Sequence, residues 1–288
     1  MGEAFLAVDW GTTNRRTYLI ENGVVVRTER DDLGVTSVRD FEDAVAGIRG
    51  RFGDLPMLLA GMVGSNIGWR VAPYVAAPAG IDELAANLLE VDARTAIVPG
   101  VSTRVGGRAD VMRGEEVQLL GAVAAGLVPA DALLAQPGTH CKWALMADGR
   151  IADFTTAMTG ELFALLRTHG LLAAQLHGEV DANAAFREGV EEGRRRDLAA
   201  SLFGIRAAKM LGVRDDADAA AFASGLLIGS DVAARLAGAD HDEVFILANP
   251  ELGALYAAAI EANGRTAHHV DSHAAFVAGI LALGAARQ

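Results

Sequence analysis

The chain is short of several things, and each shortage narrows its class. A single cysteine, Cys141, cannot form an internal disulfide, so a reducing compartment fits. Seven prolines stand against 33 glycines, which suits tight turns better than proline-rich linkers. Cations are scarce: 25 Lys and Arg face 37 Asp and Glu, for a net charge of −12. That balance argues against nonspecific nucleic-acid binding and against a polybasic membrane patch. The apolar run "AAFVAGILALGAA" near the C-terminus falls short of the roughly 20 residues a bilayer span needs. No basic segment precedes a signal-peptide core, and in "MGEAFL" Leu6 stands where a myristoylation signal wants Ser or Thr. The expectation is a cytoplasmic protein that binds neither membrane nor nucleic acid. Also missing are GxxxxGK[ST], GxGxxG, HExxH, paired CxxC and GxSxG, which disfavours P-loop, dinucleotide, zinc and serine-hydrolase chemistry.

What is present is a chain of 288 residues, 51% hydrophobic and 22% charged, enough for one large or two ordinary domains. "AFLAVDW" and "RTYLI" read as strands, Asn22-Gly23 as a two-residue hairpin turn, and "VVVRTE" as a third strand. "FEDAVAGIRGRF" and "IDELAANLLEV" have helical periodicity, "MLLAGMV" and "TAIVPGV" read as strands, and "DVMRGEEVQLLGAVAAGLV" as a long helix with Asp110 at its N-cap. The opening pattern then recurs. "ALLAQPGTHCKWALMADGRIADF" has a strand, a Gly-Thr turn, a strand, an Asp148-Gly149 turn and a strand, with Gly138-Thr139 matching Gly11-Thr12. Two meanders sharing common turn chemistry would look similar; a duplication would divide the chain near its middle. The remainder is mostly helical, with "EVFIL" and "TAHHV" as late strands and "DSHAAFVAGILALGAAR" as a closing helix. "EEGRRRD" reads as a solvated helix face.

The first Gly-Thr turn suggests a ligand. Such a turn presents backbone N–H groups and hydroxyls in a concave array suited to phosphate oxygens. Asp9 beside it would repel a bare phosphate, but makes sense if Mg²⁺ lies between them. Of Arg15 and Arg16, at most one can face that site, because side chains alternate along a strand.

"DWGTTNRR", "GMVGSNIGW", "APYVAAPAG", "IVPGV", "DVMRGEEVQLLG", "PGTHCKW" and "MTGELFALL", in this order, resemble the 2-dehydro-3-deoxygalactonokinases over nearly the whole chain. The resemblance implies an α/β fold of two related actin-like (ribonuclease H-like) ATPase domains with a cleft between them. The expected division is 1–108 plus the helix 271–288, then 109–270. It implies transfer of the γ-phosphoryl group of ATP to the 6-hydroxyl of 2-dehydro-3-deoxy-D-galactonate. Asp9 would orient Mg²⁺; Gly11, Thr12 and Thr13 would meet the phosphates from one side, and Gly138, Thr139 and His140 from the other. Asp110 would be the catalytic base. Gly64, Ser65 and Trp69 would line the sugar pocket, and Asn249 would lie near the adenine.

Several residues keep plain structural alternatives. Asp9 is an ordinary turn residue in many proteins, Asp110 an N-cap, Trp69 and Trp143 core aromatics, and Cys141 a small packing residue. The "HHVDSH" cluster reads as a strand end and helix cap rather than a metal site. The substrate carboxylate wants an arginine, and Arg113 is favoured among Arg16, Arg70, Arg104, Arg108 and Arg113. The alternatives are a kinase of another small sugar or sugar acid, or a non-metabolic actin-like ATPase or regulator. Self-association is left open.

Overall fold

A computed structural model describes residues 4–195 and 197–287. Met1 to Glu3 of the N-terminal segment and Arg196 of the charged run lie outside the described residues. The chain divides into two compact units: Met1–Asp131 with Ala144–Phe154 and Ser272–Gln288, and Ala132–Trp143 with Thr155–Asp271.

The first unit opens with β1 (Ala4–Trp10), β2 (Arg15–Glu21) and β3 (Val24–Asp31), an antiparallel meander. Asn22 and Gly23 turn between β2 and β3 with φ of 51° and 77°, the backbone a two-residue hairpin needs. Helix α1 (Phe41–Phe52) is capped by Asp40, which accepts from the Asp43 N–H. β4 (Met57–Gly61) then pairs parallel with β1. β5 (Tyr74–Ala76), α2 (Ile81–Ala86), β6 (Leu89–Asp92) and β7 (Thr95–Ile97) follow. β8 (Gly100–Val105), β9 (Arg108–Met112) and α3 (Glu115–Ala124) complete this half. The large sheet runs β3-β2-β1-β4-β7-β6, and β5-β8-β9 form a small second sheet. Leu6, Val8, Trp10, Ile48, Leu59 and Ile97 form the core between sheet and helix.

The second half of the chain repeats this plan. β10 (Ala132–Gln136), β11 (Cys141–Ala147) and β12 (Arg150–Ala157) lead to α4 (Thr159–Thr168), α5 (Ala184–Gly193), α6 (Leu198–Met210) and α7 (Asp216–Leu236). β13 (Glu243–Leu247), α8 (Pro250–Ala262), β14 (Thr266–Val270) and the closing α9 (Ser272–Ala286) end the chain. Its sheet runs β12-β11-β10-β13-β14. Renumbered from its own first strand, that is 3-2-1-4-5, the same order as β3-β2-β1-β4-β7. The recurring turn therefore belongs to a recurring fold, as the duplication reading expects.

Two sequence readings need correction. Asp110 does not start a helix: it lies in β9, opposite Thr103 of β8, and α3 begins only after Gly114. Gly114 has φ of 107°, which breaks any helix running through from Asp110. Likewise "IDELAANLLEV" stops being helical at Ala86, and Leu89–Asp92 pairs with β7 as an edge strand. A third feature is α7, which has the length and composition of a membrane span, yet 78% of its apolar window is buried in the second unit. Glycines explain how it packs. A Cβ on Gly225 would lie 2.0 Å from the Phe186 carbonyl, and one on Gly189 2.1 Å from that of Phe222, so α5 and α7 meet backbone to backbone. In the first unit α9 docks on α3 the same way: a Cβ on Gly121 would lie 1.9 Å from the Ala275 carbonyl.

Candidate active site

In the first unit Asp9 sits near the end of β1, directly opposite Arg16 on β2. Opposed residues in an antiparallel pair share a face, so Arg16 lies on the Asp9 side. Arg15 is on the other face, buried over the Trp10 ring at 4.8 Å and bonded to Asp31 at 2.7 Å. The turn itself is held by its carbonyls. Gly11 O accepts from Val35 N (3.0 Å), Thr12 O from Thr36 Oγ1 (2.9 Å) and Thr13 O from Gly34 N (3.2 Å). In trans peptides the next N–H points the opposite way, so the amides of Thr12, Thr13 and Asn14 are directed away from the 34–36 segment. Both threonines are exposed. Gly34 is obligatory for this closeness, since a Cβ there would stand 2.3 Å from Thr12 O.

Burial pushes the Asp9 carboxyl up to about 6 from its ordinary 3.8; Arg16 pulls the other way, and Glu115 adds to the rise. Glu115 was not singled out from the sequence. It opens α3, whose first turn is jammed against the strand ends: a Cβ on Gly114 would meet Gly61 Cα at 3.1 Å, and one on Gly61 would meet Trp10 O at 2.8 Å. Glu116 is fully buried and accepts from Gly114 N with both oxygens, at 2.8 and 2.7 Å. Burial first, then Glu115, lifts its carboxyl to about 8 from 4.5, so it holds its proton at neutral pH. Asp110 is half-buried, and its Oδ1 accepts from Val111 N at 2.8 Å.

The 61–69 loop is tightly built. Ser65 Oγ donates to Met62 O at 2.7 Å, and Gly68 has no room for a Cβ, with Met62 O and Val63 O at 2.3 Å. Gly64 is buried above Arg113, whose Nη1 would lie 2.9 Å from a Cβ there. Trp69 stacks on Phe41 at 6.3 Å and donates to Glu42 at 3.1 Å, so part of its surface does core work. Arg113 is 8% exposed, lies 4.4 Å over Tyr74 and donates to Ala72 O at 2.7 Å. Its Nε and Nη1 are buried without a hydrogen-bond partner.

In the second unit the Gly138-Thr139 turn is braced by α4. Glu161 N donates to Thr139 O at 2.8 Å, and a Cβ on Gly160 would lie 2.3 Å from Gly138 O. His140 is paired with Glu161 at 2.6 Å, an arrangement the sequence did not disclose. Beside the turn opens a small pocket of about 60 Å³ walled by α4, α7 and α8, with Gly138, Gly160, Phe163, Leu227, Leu252 and Tyr256 among its lining. Asn249 caps α8 through Leu252 N at 2.9 Å rather than lining the pocket; Leu252 and Tyr256, on the same helix, do line it. Asp231 underpins the wall, accepting from Trp143 Nε1 at 3.0 Å and Thr159 Oγ1 at 3.2 Å. Burial pushes the Cys141 thiol well up, which removes it as a nucleophile and leaves packing.

A Gly-Thr turn thus recurs in each repeat, and an apolar pocket lies beside the second. The model of the 2-keto-3-deoxy-galactonokinase family matches residues 9–283. The chain belongs to this family. It is a kinase, a phosphotransferase with an alcohol acceptor, and the family uses ATP. The 2-dehydro-3-deoxygalactonokinase of Escherichia coli (strain K12) is 36% identical over 289 residues, covering 98% of each chain. A relative from Rhizobium meliloti (strain 1021) is 38% identical over 293 residues, 96% of this chain and 95% of that one. A crystal structure from Sinorhizobium meliloti superposes with a TM-score of 0.90 at 37% identity, covering 98% and 97%. The component A of (R)-2-hydroxyglutaryl-CoA dehydratase from Acidaminococcus fermentans matches at TM-score 0.54 and 11% identity over the whole of both chains, which shows a shared fold alone.

Proposed function

We propose that this kinase transfers the γ-phosphoryl group of ATP to the 6-hydroxyl of 2-dehydro-3-deoxy-D-galactonate. The observation that carries the proposal is the repeated Gly-Thr turn with Asp9 beside one copy, on a chain related end to end to a kinase of that name. In this reading each turn offers its amides and hydroxyls to phosphate oxygens, Gly11, Thr12 and Thr13 in one unit and Gly138, Thr139 and His140 in the other. Adenosine takes the pocket walled by Leu227, Leu252 and Tyr256, whose apolar faces suit a purine. Mg²⁺, when bound, neutralises charge on the phosphate oxygens. Asp9 fits it: a carboxylate with a raised proton affinity at a turn rich in oxygen ligands gains by facing a cation. Gly64, Ser65 and Trp69 shape the sugar-acid pocket, and Arg113 with two unpaired buried nitrogens supplies its cationic floor.

Proton removal from the hydroxyl falls to a carboxylate of the β9–α3 segment. Asp110 is the candidate from the sequence, and Glu115, which opens α3 just after it, is a second. Positioning and electrostatics supply most of the rate in such a transfer. The test is ADP release over a panel of sugars and sugar acids, with Asp110→Asn and Glu115→Gln alongside. Stimulation by the galactonate derivative above all others supports the proposal, and the variant that loses most turnover names the base. Hydrolysis indifferent to every acid would favour a regulatory ATPase instead.

A further inference from the structure

His273 is far from the opening hairpin in sequence, yet α9 brings it there. The Gly121 and Gly279 contacts set α9 down on α3, with a Cβ on Gly279 only 2.0 Å from the Val117 carbonyl. At the start of α9, His273 Nδ1 lies 2.8 Å from the Tyr18 hydroxyl and 3.2 Å from Arg16 Nη1. Its ring also packs against Tyr18 at 5.1 Å, and Tyr18 in turn stacks on Phe276 at 5.4 Å. Tyr18 is fully buried, so the platform under the imidazole is rigid. A guanidinium can only donate, so Nδ1 is the acceptor and the ring proton sits on Nε2; the one lone pair of Nδ1 is shared between the Tyr18 hydroxyl at 2.8 Å and Arg16 at 3.2 Å. Arg16 lies on the Asp9 face of the hairpin, beside the turn whose amides point outward, with Arg30 of β3 opposite it on the same face and one strand farther from Asp9.

We infer that His273 is a positioning residue: its Nδ1 holds the Arg16 guanidinium in place to meet the phosphates of Mg·ATP. This rests on the kinase reading for the ligand, but not on the identity of the acceptor. Without the acceptor, Arg16 becomes one more flexible surface cation, and its interaction must overcome the entropy of ordering a long side chain. The arrangement also gives the C-terminal helix a task beyond packing. It reaches back across the repeat to set a charge on the first strand pair.

The experiment is a double-mutant cycle in Mg·ATP affinity, read by isothermal titration calorimetry without any acceptor. His273→Ala should weaken binding by about fivefold and Arg16→Ala by about tenfold or more, the range of a charge-assisted contact. In the Arg16→Ala background, His273→Ala should change nothing further. His273→Asn, which keeps an acceptor oxygen near the position of Nδ1, should recover most of the affinity. Equal losses for His273→Ala with and without Arg16, or no rescue by Asn, would reduce His273 to a structural residue and overturn the inference. So would an Arg16→Ala variant with unaltered affinity. Failure of the acceptor panel described above would instead refute the proposed substrate and leave this cycle readable.

Discussion

Replacing Asp9 with Asn should make the apo protein more stable while disabling it. The carboxyl titrates at about 6 in the folded chain against an ordinary 3.8, with burial as the leading cause. Between those values the folded state keeps a proton that the unfolded state has released. Stability therefore falls as pH rises through that window and stays lower above it. At about 1.4 kcal/mol per pH unit, the difference corresponds to about 3 kcal/mol, and this figure already contains the opposing pull of Arg16. Asparagine has nearly the same volume and no charge to desolvate. The advantage of Asp9→Asn should be absent below about pH 4, grow through pH 4 to 6, and reach its full value of about 3 kcal/mol at pH 7 to 8. Urea unfolding in EDTA at several pH values measures it. Adding Mg·ATP should reverse the order, because ligand binding stabilises the wild type alone. A variant no more stable than the wild type at pH 8, or one whose advantage does not change with pH, would refute the view that this site is a desolvated carboxylate waiting for a cation.

Three further outcomes follow from close contacts and buried charge. Gly160→Ala places a methyl group 2.3 Å from Gly138 O, and should cost about 1–3 kcal/mol of stability and raise KM for ATP by about tenfold with little change in KM for the acceptor. Glu116→Gln should be nearly neutral below about pH 4.5, where folded and unfolded chains both hold the proton, should gain on the wild type as pH rises from about 4.5 to about 8, and should keep that full advantage above pH 8; thermal unfolding across pH 4 to 9 reads this. Leu227→Trp should fill the pocket beside the second turn and abolish nucleotide binding in calorimetry while leaving the far-ultraviolet circular dichroism spectrum unchanged.

Much of the architecture was legible because it is written in short-range chemistry. Asn22-Gly23 and Asp148-Gly149 announce hairpins, and the structure gives Asn22 and Asp148 the positive φ such turns require. The two Gly-Thr turns flagged the repeat, and the strand orders agree. What escaped depends on tertiary context. Asp110 looked like an N-cap because an acidic residue precedes a long apolar run; only pairing of β9 with β8, and the positive φ of Gly114, move the helix start to Glu115. That shift hid Glu115 and Glu116 as the carboxylates that open α3, although the doubled carboxylate at an apolar helix was visible. Arg15 and Arg16 could be told apart only by register, which puts Arg16 opposite Asp9. His140 pairing with Glu161, and His273 with Tyr18, join residues 21 and 255 positions apart, for which periodicity carries no signal.

The central claim is phosphoryl transfer to one hydroxyl of one sugar acid. Incubating the protein with Mg·ATP and 2-dehydro-3-deoxy-D-galactonate, then recording phosphorus–proton correlation spectra of the product, tests it directly. The account predicts a single phosphate monoester whose phosphorus couples to the protons on carbon 6. A phosphate on any other carbon, or ADP formed with no phosphorylated acid, would contradict it.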